Sequence, residues 1–303
     1  MRPRVIMLLT IAAIVLGGFV LVPAAYARLD RGDGAAPEAT PAPSTKAITP
    51  SPSVTSRLTL AAGPVQVPVD GFLSWALLDR ATGQIEGSDN IAATNSTESM
   101  IKIWLVSDYL RRVAERGEQP SAARLAQARR AIRDSDDDAA QSLYVAGGGD
   151  PVVRRMISVC RLTDTKIGRS GWWSYTQISA RDAVRLGDCV KNGTAAGSMW
   201  TDWVLKEMSQ VRGSAAARDQ HERSGGGRWG IIDGLPEEIV RQGVGIKNGW
   251  TRIGADGKWH LNCLAVADDW VLAVLMRYPI DHGLDYGADT CASVARQLVV
   301  RRP

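Results

Sequence analysis

Hydrophobic and polar spacing divides the chain into contrasting stretches. An uncharged run from Val5 to Val22 follows Arg2 and Arg4, and the residues after it, to about Arg57, are rich in Pro, Ala, Ser and Thr. Gly71 to Asp79 then reads as a strand, Ala81-Thr82-Gly83-Gln84 as its turn, and Ile85 onward as the returning strand of a hairpin. A helix beginning at Ser99 runs through Trp104, Leu105, Tyr109, Leu110 and Val113 to near Gly117. From Ser121 to about Leu186 apolar residues keep helical spacing, broken by Gly147-Gly148-Gly149 and by a loop from Thr163 to Thr176. Strands return at Gly245 to Ile253, Trp259 to Ala267 and Trp270 to Tyr278, with turns at Gly254-Ala255-Asp256-Gly257 and Asp268-Asp269, before a closing helix from Ala288 to Val300. Early strands, a helical middle and late strands predict an α/β fold of the α+β kind. One antiparallel sheet is built from both chain ends and flanked by helices, with an all-helical subdomain inserted. The cleft between the two parts is the natural binding site.

The chain ends and the composition narrow this picture. Basic Arg2 and Arg4, the apolar run and Ala25-Tyr26-Ala27 as a small-x-small cleavage signal predict that residues 1–27 are a signal peptide or, if uncleaved, a membrane anchor. No cysteine lies near Ala27, so a lipid-modified N-terminus is not expected. Residues 28–64 cannot bury enough apolar surface to order themselves and read as a flexible tether, leaving 65–303 as the folded domain of a secreted or extracytoplasmic protein. With 45% hydrophobic and 22% charged residues among 303, large-scale disorder is excluded. The net charge of +4 is carried by scattered pairs such as Arg111-Arg112, Arg129-Arg130 and Arg154-Arg155. No basic stripe interleaved with aromatics exists, so no nucleic-acid partner is expected, and the domain is expected to be a monomer.

The 4 cysteines all fall in the folded part, and an even count in an exported chain predicts two disulfides. Cys160 and Cys189 each end a helical segment, whereas Cys263 lies in a strand and Cys291 in the last helix. Pairing Cys160 with Cys189 and Cys263 with Cys291 is therefore favoured over the other two arrangements.

Candidate chemistry starts at Ser99-Met100-Ile101-Lys102, the one serine in the chain with a lysine three positions on. Residues three apart share a helix face, so the Lys102 amine can take the proton of the Ser99 hydroxyl without a histidine. Two further elements follow in order: Ser135-Asp136-Asp137, between two helices, and Lys247-Asn248-Gly249, leading into the late strands. Ser135-Asp136-Asp137-Asp138 also reads as an acidic turn capping the helix through Ala139 and Leu143, and Lys191-Asn192-Gly193 repeats the third element where a helix cap is the better reading. His221, His260 and His282 lack metal-ligand spacing and read as surface or satisfied core residues; neither a metal nor a cofactor is expected. Gly225-Gly226-Gly227 reads as a flexible loop rather than a phosphate cradle.

In this order the three elements resemble the Ser-x-x-Lys, Ser-Asp-Asn and Lys-Thr-Gly elements of serine β-lactamases and penicillin-binding proteins. The resemblance covers about Val65 to the C-terminus and is closest to the class A β-lactamase-like serine hydrolases of actinobacteria, where a Lys-Asn-Gly-Trp third element also occurs. It implies acyl transfer from a β-lactam or a D-Ala-D-Ala stem peptide of the cell wall. Ser99 would attack the carbonyl carbon, and Lys102, kept partly neutral by burial, would serve as base. Ser135 would protonate the departing amine, and Lys247 would attract the substrate carboxylate. The oxyanion would sit between the backbone N–H groups of Ser99 and Trp250, with Asp137, Asn248 and Gly249 completing the substrate site.

The departures from this pattern carry equal weight. Asp137 stands where Asn is usual; it cannot donate a hydrogen bond and adds negative charge beside Lys102. Asn248 removes a hydroxyl that would touch the substrate carboxylate. The loop from Arg161 to Ile178 lacks the glutamate that activates the deacylating water in class A β-lactamases; its carboxylate is Asp164, and Trp172-Trp173-Ser174-Tyr175 either walls the cleft or stacks on the helices. These changes imply slow deacylation, or a cell-wall binding protein that kept the cleft and lost turnover.

Overall fold

The computed structural model describes residues 65–299; the expected leader over 1–27 and tether over 28–64 lie outside the described residues. Strands β1 (Phe72–Asp79) and β2 (Ile85–Gly87) form the opening hairpin, and β3 (Thr94–Ser96) leads through a 3-10 turn at Glu98–Ile101 into α1 (Lys102–Glu115). The helical insertion continues as α2 (Ala122–Arg133), α3 (Asp137–Ala146) and α4 (Asp150–Val159). A loop containing a 3-10 turn at Trp173–Tyr175 reaches β4 (Gln177–Ser179), α5 (Ala180–Lys191) and α6 (Thr201–Met208). Short helices α7 (Ile231–Gly234) and α8 (Glu237–Arg241) precede β5 (Gly245–Ile246), β6 (Gly249–Ile253), β7 (Lys258–Val266) and β8 (Trp270–Pro279). The closing helix α9 (Gly283–Leu298) starts more than a turn before the expected Ala288, because Leu284 and Tyr286 also pack on the core.

The sheet runs β2-β1-β8-β7, with β5 and β6 both paired to the far edge of β7. All pairs are antiparallel, and β1 meets β8 from Phe72↔Arg277 to Asp79↔Trp270, so the two ends of the domain close on each other as the hydrophobic pattern predicts. A Cβ on Gly187 of α5 would strike Val271, Val266 and Leu264, whereas one on Gly287 of α9 would strike Leu261 and Tyr278. Val271 and Tyr278 differ in strand parity, as do Leu264 and Leu261, so α5 and α9 cover opposite faces of the sheet.

In the helical insertion α1 is buried from Lys102 through Asp108, and the Trp104 indole donates to the Val152 carbonyl of α4 at 2.8 Å. The acidic turn serves two ends at once: Asp136 accepts from the Ala139 N–H at 2.8 Å as the cap of α3, while its neighbours Ser135 and Asp137 turn towards α1. Disulfides join Cys160 to Cys189 and Cys263 to Cys291, the expected pairs. The first ties α4 to α5 and the second ties β7 to α9. Among the described residues no helix is long and apolar enough to cross a membrane.

Candidate active site

Ser99 sits in the 3-10 turn ahead of α1 and is half-buried, while Thr97, Glu98, Met100 and Ile101 around it are buried. Two asparagines that sequence reasoning did not single out hold this turn against the sheet. Buried Asn262 of β7 donates to the carbonyls of Ser96 (2.7 Å) and Thr97 (3.2 Å), and Asn95 of β3 donates to Asn262 Oδ1 (3.0 Å) and the Met276 carbonyl (3.0 Å). From the other side β6 presses on the turn at Gly249, where a Cβ would lie 2.5 Å from the Thr97 carbonyl and 2.8 Å from the Ser99 nitrogen. Gly249 is therefore a point of close backbone approach, and it brings β6 and Trp250 alongside Ser99.

Two lysines converge beneath the serine. Lys102 and Lys247 are both 0% exposed, and the Ser135 hydroxyl lies between them, accepting from Lys247 Nζ at 2.9 Å and from Lys102 Nζ at 3.4 Å. Ser135 reaches this point because its backbone adopts φ +51°, a strained conformation for a non-glycine residue. Lys102 Nζ also donates to the Ser135 carbonyl and to Asp137 Oδ1, each at 2.5 Å. Among the described residues no hydrogen bond joins Lys102 to the Ser99 hydroxyl. Burial pushes the Lys102 amine below its ordinary value, against the pull of Asp137. Burial pushes Lys247 well down, and the Lys102 charge adds to that effect. Both shifts favour the neutral amine, the direction a base beside a nucleophile requires.

The loop decides between readings the sequence leaves open. Asp164 is no candidate for the missing glutamate: Arg181 clamps it at 2.8 and 3.0 Å and Ser179 donates to it at 2.7 Å, so it fastens the loop base. Trp172 and Trp173 both line the cleft, with Trp172 50% exposed and the Trp173 indole fixed by Gln141 at 2.9 Å. Asn248, expected at the substrate, is buried, and its amide donates to the carbonyls of Gly227 (3.0 Å) and Trp229 (2.8 Å). The Gly225-Gly226-Gly227 segment is accordingly fixed rather than flexible. Its three N–H groups donate to the carbonyls of Asp134, Asp219 and Arg212, and a Cβ on Gly226 would collide with Gly213 and Ser214 backbone.

Ser99 and Asp137 border both halves of one open cleft. One half, of about 670 Å³, is walled by Ser135, Gln220, Trp250 and Arg252; the other, of about 520 Å³, by Glu98, Gln141, Trp172 and Trp173. Glu98 was missed in the sequence because a lone glutamate before a serine carries no motif. Burial raises its carboxyl to about 7, with Asp137 adding to the rise and the Ser96 hydrogen bond opposing it. Among the described residues no group of His, Cys, Asp and Glu could hold a metal ion.

No protein-family model matches the chain. The mycobacterial protein LppW, whose name describes it as a lipoprotein, is 27% identical over 212 residues in Mycobacterium tuberculosis and in Mycobacterium bovis; the match covers 69% of this chain and 64% of LppW. This chain thus spans somewhat under two thirds of that relative's length. Among solved structures, a β-lactamase from Desulfarculus baarsii superposes with a TM-score of 0.56 at 16% identity, covering 75% of this chain and 90% of that one. An ancestral class A β-lactamase gives 0.58 at 18% identity over 75% and 93%, and the class A β-lactamase of Mycobacterium abscessus gives 0.54 at 16% over 75% and 92%. The fold is that of a β-lactamase.

Proposed function

We propose that this protein is an extracytoplasmic serine acyl-transfer hydrolase, of the actinobacterial class A β-lactamase-like kind, that forms an acyl-enzyme at Ser99. Its acyl donors are β-lactams or D-Ala-D-Ala peptides, and deacylation is slow. The observation that carries this reading is the Ser135 hydroxyl bridging two fully buried lysines beside a half-exposed serine, on a β-lactamase fold. The two disulfides and the lipoprotein name of the mycobacterial relative support the location outside the cytoplasm.

In the proposed reaction the Lys102–Ser135–Lys247 array takes the Ser99 proton as Oγ attacks the carbonyl carbon. The oxyanion lies between the N–H groups of Ser99 and Trp250, and Ser135 returns the proton to the departing nitrogen. Arg252 on the cleft wall adds positive charge for a substrate carboxylate. The 2.5 Å Lys102–Asp137 ion pair favours a second reading, a wall-binding protein whose base is held charged and whose turnover is lost. A fluorescent penicillin separates the two. Wild type should retain the label through denaturing electrophoresis and Ser99→Ala should not; absence of label from wild type would leave the binding reading standing.

A further inference from the structure

Glu98 precedes the nucleophile and has φ +47°, a conformation that non-glycine residues rarely keep without a reason. Its carboxyl is buried, and Oε1 lies 2.6 Å from the Ser96 hydroxyl on β3. That hydroxyl lies 2.8 Å from His260 Nδ1 on β7, and His260 Nε2 lies 2.8 Å from Asp256 Oδ2 in the exposed β6–β7 turn. Oε2 receives no hydrogen bond from any described residue, and Glu98 shares the aromatic half of the cleft with Ser99.

Proton counting along this chain is restrictive. With Glu98 neutral, its O–H donates to Ser96, Ser96 donates to His260 Nδ1, and Nε2–H donates to Asp256. With Glu98 ionised, Ser96 turns to donate to Oε1 and the imidazole presents Nδ1–H to Ser96. The Ser96 hydroxyl therefore reverses its donation as Glu98 titrates, and burial, which holds His260 below its ordinary value, disfavours passing the Glu98 proton to the imidazole.

Resting on the acyl-enzyme reading above, we infer that Glu98 is the general base for deacylation, with Ser96, His260 and Asp256 positioning it and setting its charge. The water oxygen bonds to the acyl carbon of the Ser99 ester while Oε2 takes one water proton. The tetrahedral intermediate collapses with cleavage of the carbon–Oγ bond, and the proton passes from Glu98 to Ser99 Oγ. The products are the free acid and the regenerated hydroxyl. Other charged or titratable groups near Glu98 are Lys102 from α1, Asp137 from α3 and Arg223 across the cleft. Arg252 of β6 lies over Trp259, and Tyr175 of the loop turn packs with Trp172 and Arg169.

The test is the lifetime of the penicillin adduct, followed by intact mass from pH 5 to 9. In wild type the decay should accelerate through a midpoint near 7. Glu98→Gln should still form the adduct but lose it about 100-fold more slowly, with a flat pH profile. Ser96→Ala removes the hydrogen bond that lowers the carboxyl, so its midpoint should move up; this decides the matter if Glu98→Gln misfolds. Adduct decay in Glu98→Gln within twofold of wild type at every pH, or an unmoved midpoint in Ser96→Ala, overturns this inference alone. Absence of any wild-type adduct overturns it together with the acyl-enzyme reading.

Discussion

Asp137 is the residue on which activity turns. Its carboxylate, with the side chain 40% exposed, meets a fully buried ammonium at 2.5 Å and favours the charged form of Lys102. Asp137→Asn removes that pull, lowers the Lys102 amine further and raises its neutral fraction at pH 7. The burst rate with a chromogenic cephalosporin should then rise about tenfold, equivalent to a little over 1 kcal/mol; an unchanged or slower burst would show that the ion pair does not restrain the base. Lys102→Ala should slow the same burst by about 100-fold or more, since an unassisted hydroxyl is hardly nucleophilic at neutral pH. Glu98 carries a stability signature as well. Because its folded value of about 7 lies above the ordinary 4.5, the neutral group stabilises the fold below pH 4.5, and this contribution is lost as pH rises through 7. The cost at pH 9 is about 3 kcal/mol. Glu98→Gln should therefore melt higher than wild type at pH 9, with the gap closing towards pH 5; a constant gap in calorimetry would contradict the raised value.

At the level of elements, what the sequence made readable is what local spacing can carry. The β1 and β8 runs, the Ser99 turn leading into α1 and the disulfide partners follow from apolar periodicity and from where segments end. The long-range polar contacts were not readable, because no local pattern marks them. Asn248 looks like a substrate contact by its place in a motif, yet its amide is spent on Gly227 and Trp229 carbonyls. Gly225-Gly226-Gly227 looks flexible by composition, whereas glycine there answers close packing against Gly213, Gln220 and Trp250. Asn95 and Asn262 lie 167 residues apart and only the folded sheet joins them. Asn262→Ala leaves the Ser96 and Thr97 carbonyls without this donor. It should cost about 1 to 3 kcal/mol in urea denaturation and slow acylation by loosening the nucleophile's turn; loss of stability with an unchanged burst rate would limit the pair to a structural role.

For the whole molecule, the sheet joins the early and late strands of the described domain, the helical insertion supplies Lys102 and Ser135, and the late strands supply Lys247, so the proposed proton path exists only when all three parts are assembled. Both disulfides clamp this assembly, and reduction should lower stability by about 2 to 5 kcal/mol per bridge. A covalent intermediate at Ser99 is tested by intact mass spectrometry after mixing the purified domain with a penicillin, followed by peptide mapping. One equivalent of added mass per chain is expected, on the peptide containing Ser99, persisting for minutes and absent from Ser99→Ala. An unmodified wild-type chain, or an adduct that remains in Ser99→Ala, would contradict it.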